Sequence, residues 1–234
     1  YAGNDDCKGA TLNSTVTVIP TITAEDVEKI FRNNTQYYPK VTDSSGNVLK
    51  DTKVTMNING VFYTRITNDK GIAMMNINLN PGKYVITSKN LVTGEQSGNN
   101  ITVKSLIVQK DLTKHYLNAS KFQTTIYNKD GSLAVNKEVT FNINGVLYTR
   151  KTDSKGAASL AINLRPGEYI ITTMFDGLSI GNKVKVLPTL VTHDLNMKYM
   201  DGSRFTAQTL DGQGKPLANQ NVSSVSYTHL RAHE

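Results

Sequence analysis

The chain contains the same long segment twice. The sequence VTMNINGVFYTR at positions 54–65 returns as VTFNINGVLYTR at positions 139–150. The match continues downstream, where Lys-Gly, Ile-Asn-Leu and Pro-Gly recur in the same order. The distance between the two copies corresponds to one small domain rather than to one turn of a solenoid. A chain of near-identical domains is usually a rod, which favours a structural or adhesive role over catalysis.

A shared pattern marks where the domains begin. It occurs at residues 22–27, 107–112 and 190–195, and each copy is followed by an aromatic residue that would open the domain. The pattern predicts two complete domains flanked by parts of two others. The predicted bounds are 1–18 for the C-terminal end of a truncated domain, 19–103 and 104–186 for the complete domains, and 187–225 for the start of another.

The last segment of the chain, 226–234, departs from the repeat and reads SYTHLRAHE. At this point the complete domains continue with Thr-Met-Asn-Ile or Thr-Phe-Asn-Ile. The segment resembles a translated sequencing adaptor, so we expect residues 226–234 to be a sequence artefact and exclude them from the fold. A genuine divergent end is the alternative.

Composition narrows the class of protein. Charged residues make up 19% and apolar residues 38% of the chain, which does not indicate a disordered protein. No apolar run approaches the roughly 18 residues of a membrane span. The net charge is +7, but the lysines are scattered, so nucleic-acid binding is not predicted. Cys7 is the only cysteine, which rules out a disulfide framework or a cysteine zinc site within the chain.

Apolar and polar residues alternate within each domain. Residues 54–59 predict a strand with one face in a core and the other in water. Asn59-Gly60 predicts a tight hairpin, because both residues tolerate positive φ. Further strands are predicted at 38–42, 61–67, 72–79, 84–87 and 101–103, with turn residues between them. About six or seven short strands per domain predict an all-β fold, an antiparallel β-sandwich.

Residues 25–32 are ambiguous. Val27 and Phe31 lie four apart, as on one face of a helix. In the equivalent stretch of the second domain, Leu112, Lys114, Tyr116 and Asn118 alternate as in a strand. We expect an extended leading strand in both domains.

The signature Asn-Ile-Asn-Gly-Val-x-Tyr-Thr-Arg, followed by Ile-Asn-Leu-x-Pro-Gly-x-Tyr, resembles the Ig-like (Big-type) repeats of bacterial and archaeal surface proteins. It is most similar to repeats in adhesin-like proteins of methanogenic archaea, over about residues 1–222. The resemblance implies tandem Ig-like antiparallel β-sandwich domains in a long, extracellular, cell-surface protein. It implies no catalytic residue and no cofactor.

Five Asn-x-Ser/Thr sequons are candidate glycosylation sites of an exported protein. They begin at Asn13, Asn33, Asn100, Asn118 and Asn221. Asn33 and Asn118 occupy the same place in their domains, just before the opening strand. The alternative is that a chain rich in Asn and Thr produces sequons by chance.

Aspartates recur near the domain junctions, at Asp26, Asp111 and Asp194. A calcium site needs several converging oxygen ligands. No loop has the spacing of an EF-hand, and aspartate is also a good turn former. The sequence therefore predicts no metal site and leaves junction calcium as an alternative.

Tyr63 with Arg65, and Tyr148 with Arg150, recur on one strand. They could form a binding stripe for a sugar or a wall polymer. The favoured interpretation is that each arginine lies over its tyrosine and covers the sheet.

No catalytic site is predicted. His115 and His193 have no carboxylate or nucleophile at a meaningful spacing, and no Gly-x-Ser-x-Gly motif occurs. A Lys–Asn isopeptide crosslink is disfavoured, because Lys40 of the first domain is replaced by Thr125 in the second.

These patterns predict a non-catalytic structural or adhesive repeat region, the stalk of a large cell-surface adhesin-like protein. The expected partners are cell-surface glycans or the surface proteins of another cell. The alternative is an accessory carbohydrate-binding module of a secreted enzyme, which a flat platform of exposed aromatic residues would favour.

Overall fold

The computed structural model describes residues 12–225, and every regular element in this range is a β-strand. The chain divides into two compact units, Tyr1–Lys104 and Ser105–Glu234. The predicted all-β fold class is confirmed. With no helix between residues 12 and 225, this range also has no helix that could cross a membrane. Cys7 and the predicted artefact at 226–234 lie outside the described residues.

The first unit contains nine strands within the described range. They are β1 (Ile22–Thr23), β2 (Val27–Ile30), β3 (Gln36–Tyr37), β4 (Lys40–Val41), β5 (Lys53–Ile58), β6 (Val61–Ile66), β7 (Met75–Asn76), β8 (Gly82–Asn90) and β9 (Gln96–Lys104).

The second unit contains ten strands within the described range. They are β10 (Ile107–Gln109), β11 (Leu112–His115), β12 (Lys121–Ile126), β13 (Glu138–Ile143), β14 (Val146–Lys151), β15 (Ala157–Ala161), β16 (Gly167–Phe175), β17 (Leu178–Leu187), β18 (Leu190–Thr192) and β19 (Ala207–Thr209). The last two form a separate two-stranded sheet.

Each unit packs a larger sheet against a smaller one. The larger sheet has the order β2-β9-β8-β5-β6 in the first unit and β11-β17-β16-β13-β14 in the second. The smaller sheet is β10-β12-β15 in the second unit. In the first unit it consists of the pairs β1-β4 and β3-β7, together with a bridge between Lys40 and Ile72. This arrangement is an Ig-like β-sandwich.

The core lies between the two sheets and comes from alternate residues of their strands. In β5 the side chains of Val54, Met56 and Ile58 are buried. In the second unit the rings of Phe122 and Phe141, from opposite sheets, meet edge to face with their centroids 6.1 Å apart. The period-two pattern therefore identifies the buried face correctly.

The hairpin between β5 and β6 has the predicted turn. Asn59 has a φ of 52° and Gly60 a φ of 80°, the left-handed values that a type I′ turn requires. Asn144 and Gly145 repeat the turn with φ values of 53° and 80°. The Asn57 Oδ1 accepts a hydrogen bond from the Gly60 N–H at 3.3 Å and supports the turn from within β5.

The leading strand of each unit changes sheets. β1 pairs antiparallel with β4 of the smaller sheet, whereas β2 pairs parallel with β9, the last strand of the larger sheet. In the second unit β10 pairs antiparallel with β12, and β11 pairs parallel with β17. The sandwich is therefore not wholly antiparallel. After the leading strand crosses to the larger sheet, it runs in the same direction as the last strand, and the two pair parallel. The helical alternative for residues 25–32 is wrong, since Val27–Ile30 forms β2.

Pro39 divides the strand predicted at 38–42 into β3 and β4. Proline has no N–H to donate to a neighbouring strand. Its carbonyl still accepts a hydrogen bond from the Ala73 N–H at 2.9 Å. Thr124 stands at this position in the second unit, where β12 runs unbroken. The strand predicted at 72–79 is correspondingly reduced to β7.

A buried hydroxyl group distinguishes the two cores. In the first unit Tyr37 Oη lies 2.9 Å from Ser88 Oγ and donates to Asn99 Oδ1 at 2.9 Å. In the second unit Phe122 replaces the tyrosine, and Thr173 replaces the serine. The Thr173 Oγ1 is buried without a hydrogen-bond partner among the described residues. A buried hydroxyl that has lost its water without gaining a partner is destabilising.

Replacing Thr173 by valine should stabilise the second unit by about 1 kcal/mol, because the unpartnered hydroxyl is removed and the shape is nearly kept. Replacing Ser88 by alanine should destabilise the first unit by about 1 kcal/mol, because the Tyr37 hydroxyl loses a partner. Urea unfolding of the full chain measures both changes. Effects of the same sign at the two positions would contradict this account of the cores.

Candidate functional site

An aspartate fastens the leading strand of each unit to the last strand. Asp26 Oδ1 accepts a hydrogen bond from the Asn100 N–H at 2.8 Å, and Asp26 Oδ2 accepts from Asn100 Nδ2 at 2.9 Å. In the second unit Asp111 Oδ1 accepts from Asn182 Nδ2 at 2.7 Å and from the Lys183 N–H at 2.9 Å. Both aspartates lie just before the parallel pairing begins.

These hydrogen bonds favour the charged form of each carboxylate. The Asn100 side chain, followed by its backbone N–H, holds the pKa of Asp26 below its ordinary value. The Asn182 side chain and the Lys183 N–H lower the pKa of Asp111 in the same way. The two carboxylates are therefore engaged within their own units as anions.

The aspartates proposed as calcium ligands do not belong to a cluster of acidic side chains in the described part of the chain. Between residues 12 and 225, no group of three or more His, Cys, Asp or Glu side chains could hold a metal ion. Asp26 and Asp111 accept hydrogen bonds from amide groups, and Asp194 is exposed. Fastening of the leading strand explains why aspartate recurs at positions 26 and 111.

A buried lysine lies within the leading strand of both units. Lys29 is 4% exposed and Lys114 is 6% exposed. The Lys29 ammonium donates to three carbonyl oxygens, those of Asn33 at 2.9 Å, Thr35 at 3.1 Å and Ile77 at 2.7 Å. It joins the leading strand to the loop that follows and to the chain just after β7.

The second unit repeats this arrangement. The Lys114 ammonium donates to the carbonyl oxygens of Ser120 at 3.2 Å and Ile162 at 2.8 Å. Burial lowers the pKa of both Lys29 and Lys114. Each ammonium connects β2 or β11, which belongs to the larger sheet, with the end of a strand in the smaller sheet.

Sequence reasoning missed these lysines, because lysine is almost never fully buried unless it is paired. The available signal was their recurrence. Lys29 and Lys114 occupy equivalent positions of the repeat, and each follows the recurring aspartate by three positions. The residue on the C-terminal side of each differs, Ile30 in one unit and His115 in the other.

The recurring sequon lies in the loop that the buried lysine holds. Asn33 Oδ1 accepts from the Thr35 N–H at 3.1 Å, and Asn118 Oδ1 accepts from the Ser120 N–H at 2.8 Å. Both asparagines are half-buried. The local turn is therefore the same in both units.

The five sequons differ at Nδ2, the atom that would carry a glycan. Asn118 Nδ2 donates to the Gly212 carbonyl at 2.6 Å, and Asn100 Nδ2 donates to Asp26 at 2.9 Å. Asn33 Nδ2 makes no hydrogen bond to a described residue, and Asn13 and Asn221 are exposed. Glycosylation at these positions stays a prediction.

The recurring tyrosine and arginine lie together on the outermost strand of the larger sheet. The Arg65 Cζ is 5.9 Å from the centroid of the Tyr63 ring, and the distance from Arg150 to Tyr148 is also 5.9 Å. Both distances are within the cation–π range. The predicted placement of arginine over tyrosine is confirmed.

The exposed aromatic side chains of the first unit do not share one face. Phe62, 72% exposed, lies on the outer face of the larger sheet, whereas Tyr38, 53% exposed, lies between β3 and β4 of the smaller sheet. Between residues 105 and 186 every aromatic side chain is buried or half-buried. These residues do not form the flat platform that would favour a carbohydrate-binding module.

The two histidines between residues 12 and 225 lack a partner that could activate them. His115 ends β11 and His193 follows β18, and neither side chain hydrogen-bonds or ion-pairs with a described residue. Lys40 is exposed on β4, and Thr125 stands at its place in β12.

No protein-family model matches the chain, and neither does any curated protein. Several solved structures are similar to it at low identity. For the bacterial integrin-binding protein invasin the identity is 16%, 86% of this chain and 49% of that chain are covered, and the TM-score is 0.33. For a chimeric titin Z1Z2 tandem the identity is 15%, 70% of this chain and 95% of that chain are covered, and the TM-score is 0.29. For the Bacteroides ovatus protein SGBP-B, solved with a mixed-linkage heptasaccharide, the identity is 13%, 76% of this chain and 49% of that chain are covered, and the TM-score is 0.25.

The chain thus spans about half the length of the invasin structure that it matches. Similarity at this level carries no statement about function. The Ig-like fold follows from the strand order of the two units.

Replacing Lys114 by methionine should destabilise the second unit by about 2 kcal/mol. The reason is that the carbonyls of Ser120 and Ile162 lose their partner, and the carbonyl of Ile162 lies in a buried setting. Methionine is the natural choice, because Met197 stands at the corresponding position of the next segment. Urea unfolding measures the change. The control is the exposed Lys110, whose replacement by methionine should alter stability by less than about 0.5 kcal/mol. An unchanged or higher stability of the Lys114 variant would show that the ammonium is not needed.

Proposed function

We propose that this chain is a non-catalytic, load-bearing repeat region, part of the stalk of a large extracellular adhesin-like protein. The observation that supports this most directly is the parallel pairing of the leading strand with the last strand, which occurs in both units. The two ends of each unit are thereby bonded to one another.

The direction of this pairing decides how a unit responds to tension. In a tandem chain, tension enters a unit through its leading strand and leaves through its last strand. Because β2 and β9 run parallel, forces that pull these two ends apart slide the strands along each other. The four residue pairs, from Val27↔Ile101 to Ile30↔Lys104, are then loaded together rather than one after another. Simultaneous loss of several hydrogen bonds requires more force than unzipping them singly.

Polar side chains reinforce the loaded strand. Asp26 and Asp111 hold its start, while Lys29 and Lys114 connect its middle with the smaller sheet. In the first unit Glu95 Oε2 also accepts from the backbone N–H and the side-chain hydroxyl of Thr21, each at 2.6 Å. Tension must therefore break contacts with both sheets before the leading strand detaches.

We further propose the domain bounds 1–18, 19–103, 104–186 and 187–225, glycosylation of the sequons, and membership of the Big-type repeats of methanogenic archaea. We place the protein at the cell surface, with glycans or the surface proteins of another cell as its partners. The sequons and the tandem repeat support this placement.

Pulling the full chain from its two ends in a single-molecule force experiment should give one main unfolding event for each unit. Replacing Asp111 by alanine should lower the unfolding force of the second unit alone, because the start of β11 is released.

Asp153 is the matched control for this experiment. Its Oδ1 accepts from the N–H groups of Lys155 at 2.8 Å and Ala157 at 2.9 Å, in the turn between β14 and β15. Replacing Asp153 by alanine should lower the thermal stability without lowering the force, since this turn is not part of the loaded pairing. An equal loss of force in both variants would argue against the load-bearing role.

A further inference from the structure

The outermost strand of the larger sheet carries recurring residues that are exposed or half-exposed. β6 and β14 end their sheets, and each has one neighbouring strand. Both strands carry Val, Tyr, Thr and Arg at the same four positions, all of them exposed or half-exposed. By contrast, the buried Met56 of β5 becomes Phe141 in the second unit. The exposed arginine is thus the same in both units, although a core residue on the neighbouring strand differs.

Arg65 and Arg150 are exposed, and neither forms an ion pair with a described carboxylate. Each guanidinium is nonetheless held in place. Its Nη1 donates to the carbonyl of the preceding threonine at 2.8 Å in both units, and its Cζ lies 5.9 Å from the tyrosine ring centroid. The other N–H donors make no hydrogen bond to a described residue. A side chain that is ordered before binding loses less conformational entropy when a ligand arrives.

A fixed guanidinium with free donors is suited to a carboxylate, to which arginine can make two parallel hydrogen bonds. A single exposed ion pair contributes only about 0–1 kcal/mol, so a ligand with one carboxylate would bind weakly. A polymer with many carboxylates can occupy the sites of both units, and linked binding raises the affinity without new contacts. The net charge of +7 adds a general attraction for such a polymer.

We propose that the pairs Tyr63–Arg65 and Tyr148–Arg150 form a repeated binding site for a carboxylated polysaccharide. The competing occupant is an extended protein strand that adds to the free edge of the sheet. Charged side chains on an edge strand oppose such pairing, which favours the polysaccharide. The site does not depend on the load-bearing role, so each proposal can fail without the other.

The test is biolayer interferometry of the full chain on immobilised polygalacturonate, with neutral dextran as the reference polymer. The chain should bind polygalacturonate and not dextran. The double variant R65Q/R150Q should bind at least about tenfold more weakly, because both attachment points are lost, with each single variant in between. The variant R65K/R150K should also bind more weakly, since lysine keeps the charge but not the planar fork.

The matched control is K70Q/K155Q, which removes two charges from exposed lysines that also recur in both units. It should change the affinity by less than about twofold, as expected for exposed charges outside the site. Circular dichroism confirms that each variant is folded. If R65Q/R150Q and K70Q/K155Q lose the same affinity for polygalacturonate, the attraction is diffuse and the proposed site is wrong. No binding to polygalacturonate, equal binding to dextran, or equally strong binding of an acidic peptide through the same arginines would also overturn it.

Discussion

The leading strand, which belongs to both sheets, is the element on which each unit depends. Its first part pairs with the smaller sheet and its second part with the last strand of the larger sheet. The crossing brings the N-terminal and C-terminal segments of a unit into direct contact. It also fixes the register, because a slip by one residue would move Lys29 out of reach of its carbonyl partners and leave the buried carbonyl of Ile77 unpaired. The same aspartate and lysine perform these roles in the second unit, where most neighbouring residues of the strand differ.

The two units reach this arrangement with different hairpins between their last two strands. The second unit turns tightly at Asp176-Gly177, with φ values of 46° and 74°. The first unit has a longer loop, whose Glu95 accepts a hydrogen bond from the Thr21 N–H. Asn90, the last residue of β8, donates to the Thr21 carbonyl. The starting pattern begins at residues 22, 107 and 190, so the first repeat is slightly longer than the second. The longer loop of the first unit accounts for this difference. The extra residues of the first unit thus give the start of its leading strand additional hydrogen bonds.

Features set by local chemistry could be predicted from the sequence, and features set by distant partners could not. The alternation of Val54, Met56 and Ile58 and the Asn59-Gly60 turn are local, and both were predicted correctly. The crossing of the leading strand depends on pairing with β9, which lies at the opposite end of the unit. The burial of Lys29 depends on the carbonyl of Ile77, far along the chain, which no local pattern reveals. Pro39 was visible in the sequence, but its effect emerged only by comparison with the unbroken second-unit strand.

In the proposed load path, tension on a unit acts on the pairing of its leading strand with its last strand. The most direct measurement compares the unfolding force of the second unit when the pairing carries the load and when it does not. Cys7 is replaced by serine so that an introduced cysteine is the only attachment thiol. One tether is attached to the two ends of the chain, and another runs from position 121, substituted K121C, to the C-terminal end. The second tether bypasses β11, which ends at His115. The second unit should unfold at a clearly lower force in the second geometry. Equal unfolding forces in the two geometries would contradict the proposed load path.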